Sequence, residues 1–208
     1  MTALNIFFEP NQVCIATDTL ACDGGLPRLY ASKIFPLSHL NGVLCGTGAF
    51  GLLMDWFVAI QSGAIVRDII ELDQFTPEQL QRLGEKYGLD EQHTTTIYHF
   101  GYSETEERFR GFVYRSTNAF ASEELEYQIR LKPAVDIGEV TSLPADFIKA
   151  MKLQRQMDKQ QPVSSQVGIG GEIHFAVLRP GSINITNCHR FEDYETDFTA
   201  MLENTSRG

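Results

Sequence analysis

Short apolar, β-prone runs come in pairs along this chain, each pair joined by a tight turn, and that pattern limits the fold more than any other feature. Leu4 to Phe8 and Val13 to Thr17 flank Pro10-Asn11, and Ser32 to Leu37 and Gly42 to Cys45 flank Ser38 to Asn41. Thr94 to Phe100 and Phe109 to Tyr114 alternate around the acidic turn Ser103 to Glu107. Ile173 to Leu178 and Ser182 to Thr186 flank Arg179-Pro180-Gly181. Runs this close together pair as antiparallel hairpins. Between them the period turns helical. Ala49, Leu52, Leu53, Trp56, Phe57 and Ile60 recur at three and four residues, which predicts an amphipathic helix ended by Gln61-Ser62-Gly63. Thr76-Pro77-Glu78-Gln79 reads as a helix start, with Thr76 as the cap and the helix running to Tyr87-Gly88. Pro144 to Gln160 reads as a polar-faced helix, and a short helix is expected after Glu192. Asp23-Gly24-Gly25-Leu26-Pro27 reads as loop, and Asn118 to Ile137 has no clear assignment.

Strands in hairpins and helices in blocks predict an α+β fold, with helix layers on mainly antiparallel sheets. There is no linker, repeat or low-complexity segment, so residues 1–208 are expected to form one domain. A chain of this length buries roughly 70% of its unfolded surface and needs no disulfide or metal to fold. The balance of 17 basic against 27 acidic residues, a net charge of −10, disfavours nucleic acid as the main partner. The N-terminus lacks the basic residues of a signal peptide, and no apolar run is long enough to span a bilayer. Cys14, Cys22, Cys45 and Cys188 are irregularly spaced, which fits free thiols in a reducing cytoplasm, the expected location.

Two segments carry candidate chemistry. Gly46-Thr47-Gly48-Ala49-Phe50-Gly51 fits the dinucleotide pattern G-x-G-x-x-G, with Glu71 twenty residues beyond Gly51. Its context is poor, because the preceding strand belongs to a hairpin. Glycines at a strand-to-helix turn nonetheless expose backbone N–H groups that suit a developing negative charge. The other segment is the N-terminus. An initiator Met is normally removed before a small residue, and Thr2 would then carry a hydroxyl nucleophile and a free α-amine of pKa near ~8 on one residue. By itself a small second residue means little. Asp18, ending the strand Val13 to Thr17, and Lys33, opening Lys33-Ile34-Phe35, give it company. A lysine beside the hydroxyl favours its ionisation, and an aspartate orients the lysine; the bland alternative is a surface pair worth little. His93 and His99 are six apart, His174 reads as a satisfied core residue, Cys188 and His189 point to opposite strand faces, and Glu123 to Glu126 and Asp193 to Glu195 read as solvated acidic faces.

Thr2, Ile15-Ala16-Thr17-Asp18, Lys33-Ile34 and Gly46-Thr47-Gly48-Ala49 occur in the order in which such elements stand in proteasome β-subunit-like N-terminal-nucleophile (Ntn) hydrolases. The chain resembles that family, in particular its bacterial proteasome homologues. The Thr-to-Asp spacing is the family's, and Lys33 is displaced by one residue. Gly170-Gly171-Glu172-Ile173-His174-Phe175 is similar to the family's late glycine pair and strand. The resemblance implies a four-layer αββα sandwich. It also departs: where active members carry Ser-Gly-Gly and an earlier Asp, this chain reads Ile169-Gly170-Gly171 and Gln166. A supporting G-S-G is missing, with Ser164 and Ser165 nearest, and Leu20 replaces an Arg.

The resemblance thus implies a threonine-type hydrolase of peptide or protein amides. Thr2 would be the nucleophile, Lys33 would lower its pKa, and Asp18 would hold Lys33. The Thr47 N–H, with Gly48 beside it, would stabilise the oxyanion. No cofactor or metal is called for. A ring or barrel of like subunits is the expected assembly, with no membrane or nucleic-acid partner, and an ATP-dependent unfoldase is left open. One residue precedes Thr2, so loss of Met1 alone is expected to mature the chain. It is expected to lack a propeptide and the N-terminal helical extension of the non-catalytic, gate-forming subunits. The alternatives are a non-catalytic proteasome-like subunit that keeps fold and assembly surface and, remotely, a dinucleotide-binding enzyme using Gly46 to Gly51.

Overall fold

All four expected hairpins form. In the computed structural model, which describes residues 2–23, 26–89, 93–162 and 165–205, β1 (Leu4–Glu9) pairs with β2 (Gln12–Asp18) and β5 (Ile34–Leu37) with β6 (Gly42–Thr47). β7 (Thr96–Ser103) pairs with β8 (Arg108–Arg115) and β11 (Glu172–Arg179) with β12 (Ser182–Arg190). The remaining strands are β3 (Leu20–Asp23), β4 (Leu26–Tyr30), β9 (Ser122–Glu124) and β10 (Ile129–Lys132). Two five-stranded sheets result, in the orders β10-β1-β2-β11-β12 and β5-β6-β7-β8-β9, with β3 and β4 as a third, two-stranded sheet. All pairings are antiparallel. Four helices are described: α1 (Phe50–Gly63), α2 (Ile69–Lys86), α3 (Ala145–Lys159) and α4 (Tyr194–Thr205).

Three expectations need correction. In the stretch read as loop at Asp23 to Pro27, Asp23 ends β3 and Leu26 and Pro27 begin β4, paired antiparallel, and Gly24 and Gly25 lie outside the described residues. The helix start read at Thr76-Pro77 lies inside α2, with Thr76 fully buried. The true cap is Asp68, whose carboxylate accepts from the N–H groups of Ile70 and Glu71 at 3.0 Å. Thr76 mimics a cap because its hydroxyl bonds the backbone, here donating one turn back to the Leu72 carbonyl. The unassigned stretch Asn118 to Ile137 holds β9 and β10, which add to different sheets. Both are short, charged edge strands, and such strands lack an apolar rhythm because their outer side faces water.

The large sheets bury both faces. Leu4, Ile6 and Phe8 of β1 and Val13 and Ile15 of β2 share one apolar cluster with Val43, Tyr98, Phe100 and Val113 of the other sheet. The alternate residues Cys14 and Ala16 join Phe147 and Met151 of α3, and Leu44 joins Leu52, Trp56 and Leu72 of α1 and α2. Period-two alternation sends neighbours to opposite faces, so strands covered on both sides read as nearly continuous apolar runs.

Two buried polar pairs inside these contacts join separate elements. Asn5 and Gln154, both fully buried, exchange amide hydrogen bonds of 3.1 and 2.7 Å, and Gln154 also donates to the Pro133 carbonyl at 2.7 Å. That amide ties α3 to β1 and to the end of β10. Replacing Gln154 with Leu strands Asn5 and a carbonyl, and we expect it to cost about 1–3 kcal/mol in urea unfolding. Across the molecule, Trp56 Nε1 donates to His99 Nε2 at 2.9 Å, and burial lowers the His99 pKa from 6.5 to about 3. The unfolded chain therefore takes up a proton that the folded chain refuses. Stability attributable to His99 is present above 6.5 and is lost progressively as pH falls toward about 3. His99→Gln keeps an acceptor for Trp56, and its unfolding midpoint should fall less than that of the parent over this acid range.

Candidate active site

Asp18 ends β2 between β1 and β11, so its carboxylate is surrounded by backbone. It accepts from the Ala3 N–H at 3.0 Å, from the Gly170 N–H at 3.3 Å, and from Lys33 Nζ at 3.1 Å on each oxygen. Lys33 donates further to the Leu20 carbonyl at 2.7 Å. Asp18 and Lys33 are 0% and 2% exposed, so the bland surface-pair alternative does not describe them. Burial pushes the Asp18 carboxyl up from the usual carboxylate range, while the Lys33 charge and the two N–H groups oppose it. Ions this dry hold together only because each is fully hydrogen-bonded. Leu20 needs no side-chain chemistry here, since it is its carbonyl that meets Lys33.

This pair adjoins a cleft of about 620 Å³ lined by Thr2, Lys33, Cys22, Gly48, Ala49, Tyr87 and His93, among others. Thr2 is 7% exposed and directly precedes the Ala3 N–H that Asp18 binds. Gly48 presents its backbone to the cleft at φ +107°, a conformation open to glycine, and a Cβ there would meet the Thr94 carbonyl at 2.4 Å. Gly48 and Ala49 form this part of the wall, whereas the Thr47 hydroxyl accepts from Lys132 Nζ at 2.9 Å. Burial pushes the Cys22 thiol up, which keeps it protonated.

The dinucleotide reading of Gly46 to Gly51 is overturned by topology. β6 lies between β5 and β7 with both pairings antiparallel, so no parallel βαβ unit exists there. Glu71 sits in the first turn of α2, bonded to Arg67, and not at a strand end. Gly51 has a packing reason instead: a Cβ would come within 2.8 Å of the Tyr87 ring, which helps wall the cleft. Tyr87 is held there by Asp55 at 2.9 Å.

Other readings divide. Gln166 is half-buried and donates to the Gln161 carbonyl, and Ile169 is buried with Phe147 and Met151. Asp158 of α3, unmarked in the sequence, accepts from the Val167 and Gly168 N–H groups at 2.6 and 2.9 Å and so secures the approach to Gly170. Ser165 is exposed, and Ser164 lies outside the described residues. His174 is half-buried with Nδ1 unpartnered among the described residues, so it is not a satisfied core histidine. Asp193 is tethered to Arg155 and Lys159 and is not a freely solvated acid. Glu123 and Glu124 are exposed, as expected, and pair with Arg115 and Arg110. Among the described residues the four cysteines are free, no His, Cys, Asp or Glu group is arranged to hold a metal, and no helix is long and apolar enough to cross a membrane.

A mixed α+β fold with these sheets is shared with proteasome-like subunits. The solved structures it resembles include an Anbu mutant from Hyphomicrobium sp. strain MC1, at 12% identity and a TM-score of 0.66. They also include Anbu (ancestral beta-subunit) from Yersinia bercovieri, at 11% identity and 0.62. In both cases 100% of this chain and 94% of the other are covered. No protein-family model matches the sequence, and neither does any curated protein. These findings correct the resemblance drawn from sequence: the structural neighbours are Anbu subunits, not Ntn hydrolases of the bacterial proteasome homologue type. At such identity the likeness carries the fold alone. Four short motifs at strand ends cannot assign a family, because an Asp, a Lys and a glycine turn suit this packing whatever chemistry follows.

Asp18→Asn removes the charge that compensates a buried ammonium. We expect a loss of about 3–5 kcal/mol in denaturant unfolding, far beyond that of a surface pair.

Proposed function

We propose that this chain is a proteasome-like subunit that hydrolyses peptide or protein amides with Thr2 as an N-terminal nucleophile. The observation that carries the reading is the buried Lys33, which spends its hydrogen bonds on Asp18 and Leu20 while lining the same cleft as Thr2. With Met1 removed, the Thr2 α-amine takes the hydroxyl proton as Oγ attacks the substrate carbonyl carbon. The Lys33 ammonium favours the oxygen anion, and Asp18 holds Lys33 in place. The carbonyl oxygen gains charge against the backbone N–H of Gly48, which lines the cleft, with that of Thr47 beside it. The tetrahedral centre collapses, the amine leaves with the proton from the α-ammonium, and water then cleaves the ester. These steps require no cofactor.

In this reading residues 1–208 form one domain whose three apolar clusters separate four layers, αββα, and like subunits assemble into a ring or barrel in the cytoplasm. An unfoldase partner stays open. The second reading, a non-catalytic subunit that keeps fold and assembly surface, is favoured by Ile169, whose buried side chain offers no hydroxyl to the site.

Intact mass spectrometry tests the first. The protein made in cells should lack Met1 and gain one adduct on Thr2 with a β-lactone or an epoxyketone, and Thr2→Ala should gain none. Lys33→Ala should react roughly 10²–10³-fold more slowly, the scale of losing a strong electrostatic stabiliser. Retained Met1, or a processed chain that forms no adduct, sinks the catalytic reading and leaves the second.

A further inference from the structure

Lys132 is a cation that the chemistry above does not use. Its backbone pairs with Leu4, two residues from Thr2, at the edge of the first sheet. Directly opposed strand residues share a face, and Leu4 belongs to the cluster between the large sheets, so Lys132 projects between them. Its Nζ there donates to Thr47 Oγ1 at 2.9 Å and Thr96 Oγ1 at 3.2 Å, residues paired at the ends of β6 and β7. Among the described residues no carboxylate lies within 4.0 Å of it. Burial, with the charge of Arg115, holds its ammonium below the usual lysine range.

We propose that Lys132 is a positioning residue for the Thr2 site: it clamps the end of β6 through Thr47 and sets a positive charge behind the Gly48 backbone that meets the substrate's carbonyl oxygen. Two neutral hydroxyls only partly replace the water an ammonium loses, and an apolar side chain would join the sheets without that cost. A charge kept at such a place, one residue from Gly48, is useful where negative charge develops nearby. The support continues outward, since Gln154 binds the carbonyl of Pro133, the residue after Lys132. This inference rests on the reading of Thr2 as nucleophile.

The test is Thr2 acylation of the full chain by a β-lactone, followed by intact mass and separated into KI and kinact. Lys132→Met should lower kinact about tenfold, less than the ~10²–10³ lost with a direct oxyanion donor, and leave KI unchanged. Lys132→Arg, which restores the charge, should recover most of the rate. If the Met variant does not fold, Lys132→Gln is read by the same measures. The proposal is overturned if the uncharged variant reacts like the parent, if only KI changes, or if Arg is no better than Met. A parent chain that lacks Met1 and still forms no adduct overturns both this and the Thr2 reading. A reactive parent matched by Lys132→Met overturns this one alone.

Discussion

An ammonium and a carboxylate that both lie out of solvent tie together the end of this protein where the cleft opens. Asp18 ends a strand of the first sheet and Lys33 immediately precedes β5 of the second, and each would be untenable in its place without the other. Around them converge the N–H of Ala3, the N–H of Gly170 and the carbonyl of Leu20, which bring together the first strand, the turn before β11 and the chain that leaves β2. The pair therefore holds the residue next to Thr2 and is itself held by backbone from three parts of the chain. That dependence suits a reactive centre, because charge held rigidly in a dry site acts with little reorganisation.

A second layer of polar contacts holds this end from behind. Gln154 joins α3 to Asn5 and Pro133, Asp158 takes the N–H groups ahead of Gly170, and Lys132 reaches the far sheet at Thr47 and Thr96. None of these lies at the position of Gln166 or Ile169, where the family resemblance sought support. The site is braced by different residues from those the motif comparison singled out, as is expected when a fold persists at 12% identity. The fold likeness to Anbu subunits thus places the chain among proteasome-like architectures, and its chemistry has to be argued from its own side chains.

The hairpins were legible because turn residues between alternating or apolar runs act locally, and all four form as read. Helix α1 was legible by the same logic, since its apolar residues repeat at helical spacing. Reading failed where local chemistry imitates another signal. Thr76 bonds the carbonyl one turn back and so looks like a cap, while the operative cap is Asp68. The glycines of Gly46 to Gly51 look like a phosphate loop, but they answer to φ at Gly48 and to the Tyr87 ring at Gly51. Edge strands β9 and β10 escaped because their partners, not their own composition, make them strands.

The sequence by itself determined the antiparallel hairpins, the main amphipathic helix and the candidacy of Thr2, Asp18 and Lys33, all properties of residue type and short spacing. Only the tertiary structure decided that Asp18 and Lys33 are a buried pair, that Gly48 rather than Thr47 lines the cleft, and that Lys132 reaches the same end. Those outcomes depend on strand register and on which sheet each strand joins. Contacts between residues 85 and 152 positions apart, such as Lys132 with Thr47 and Gly170 with Asp18, leave no periodic trace in the chain that makes them.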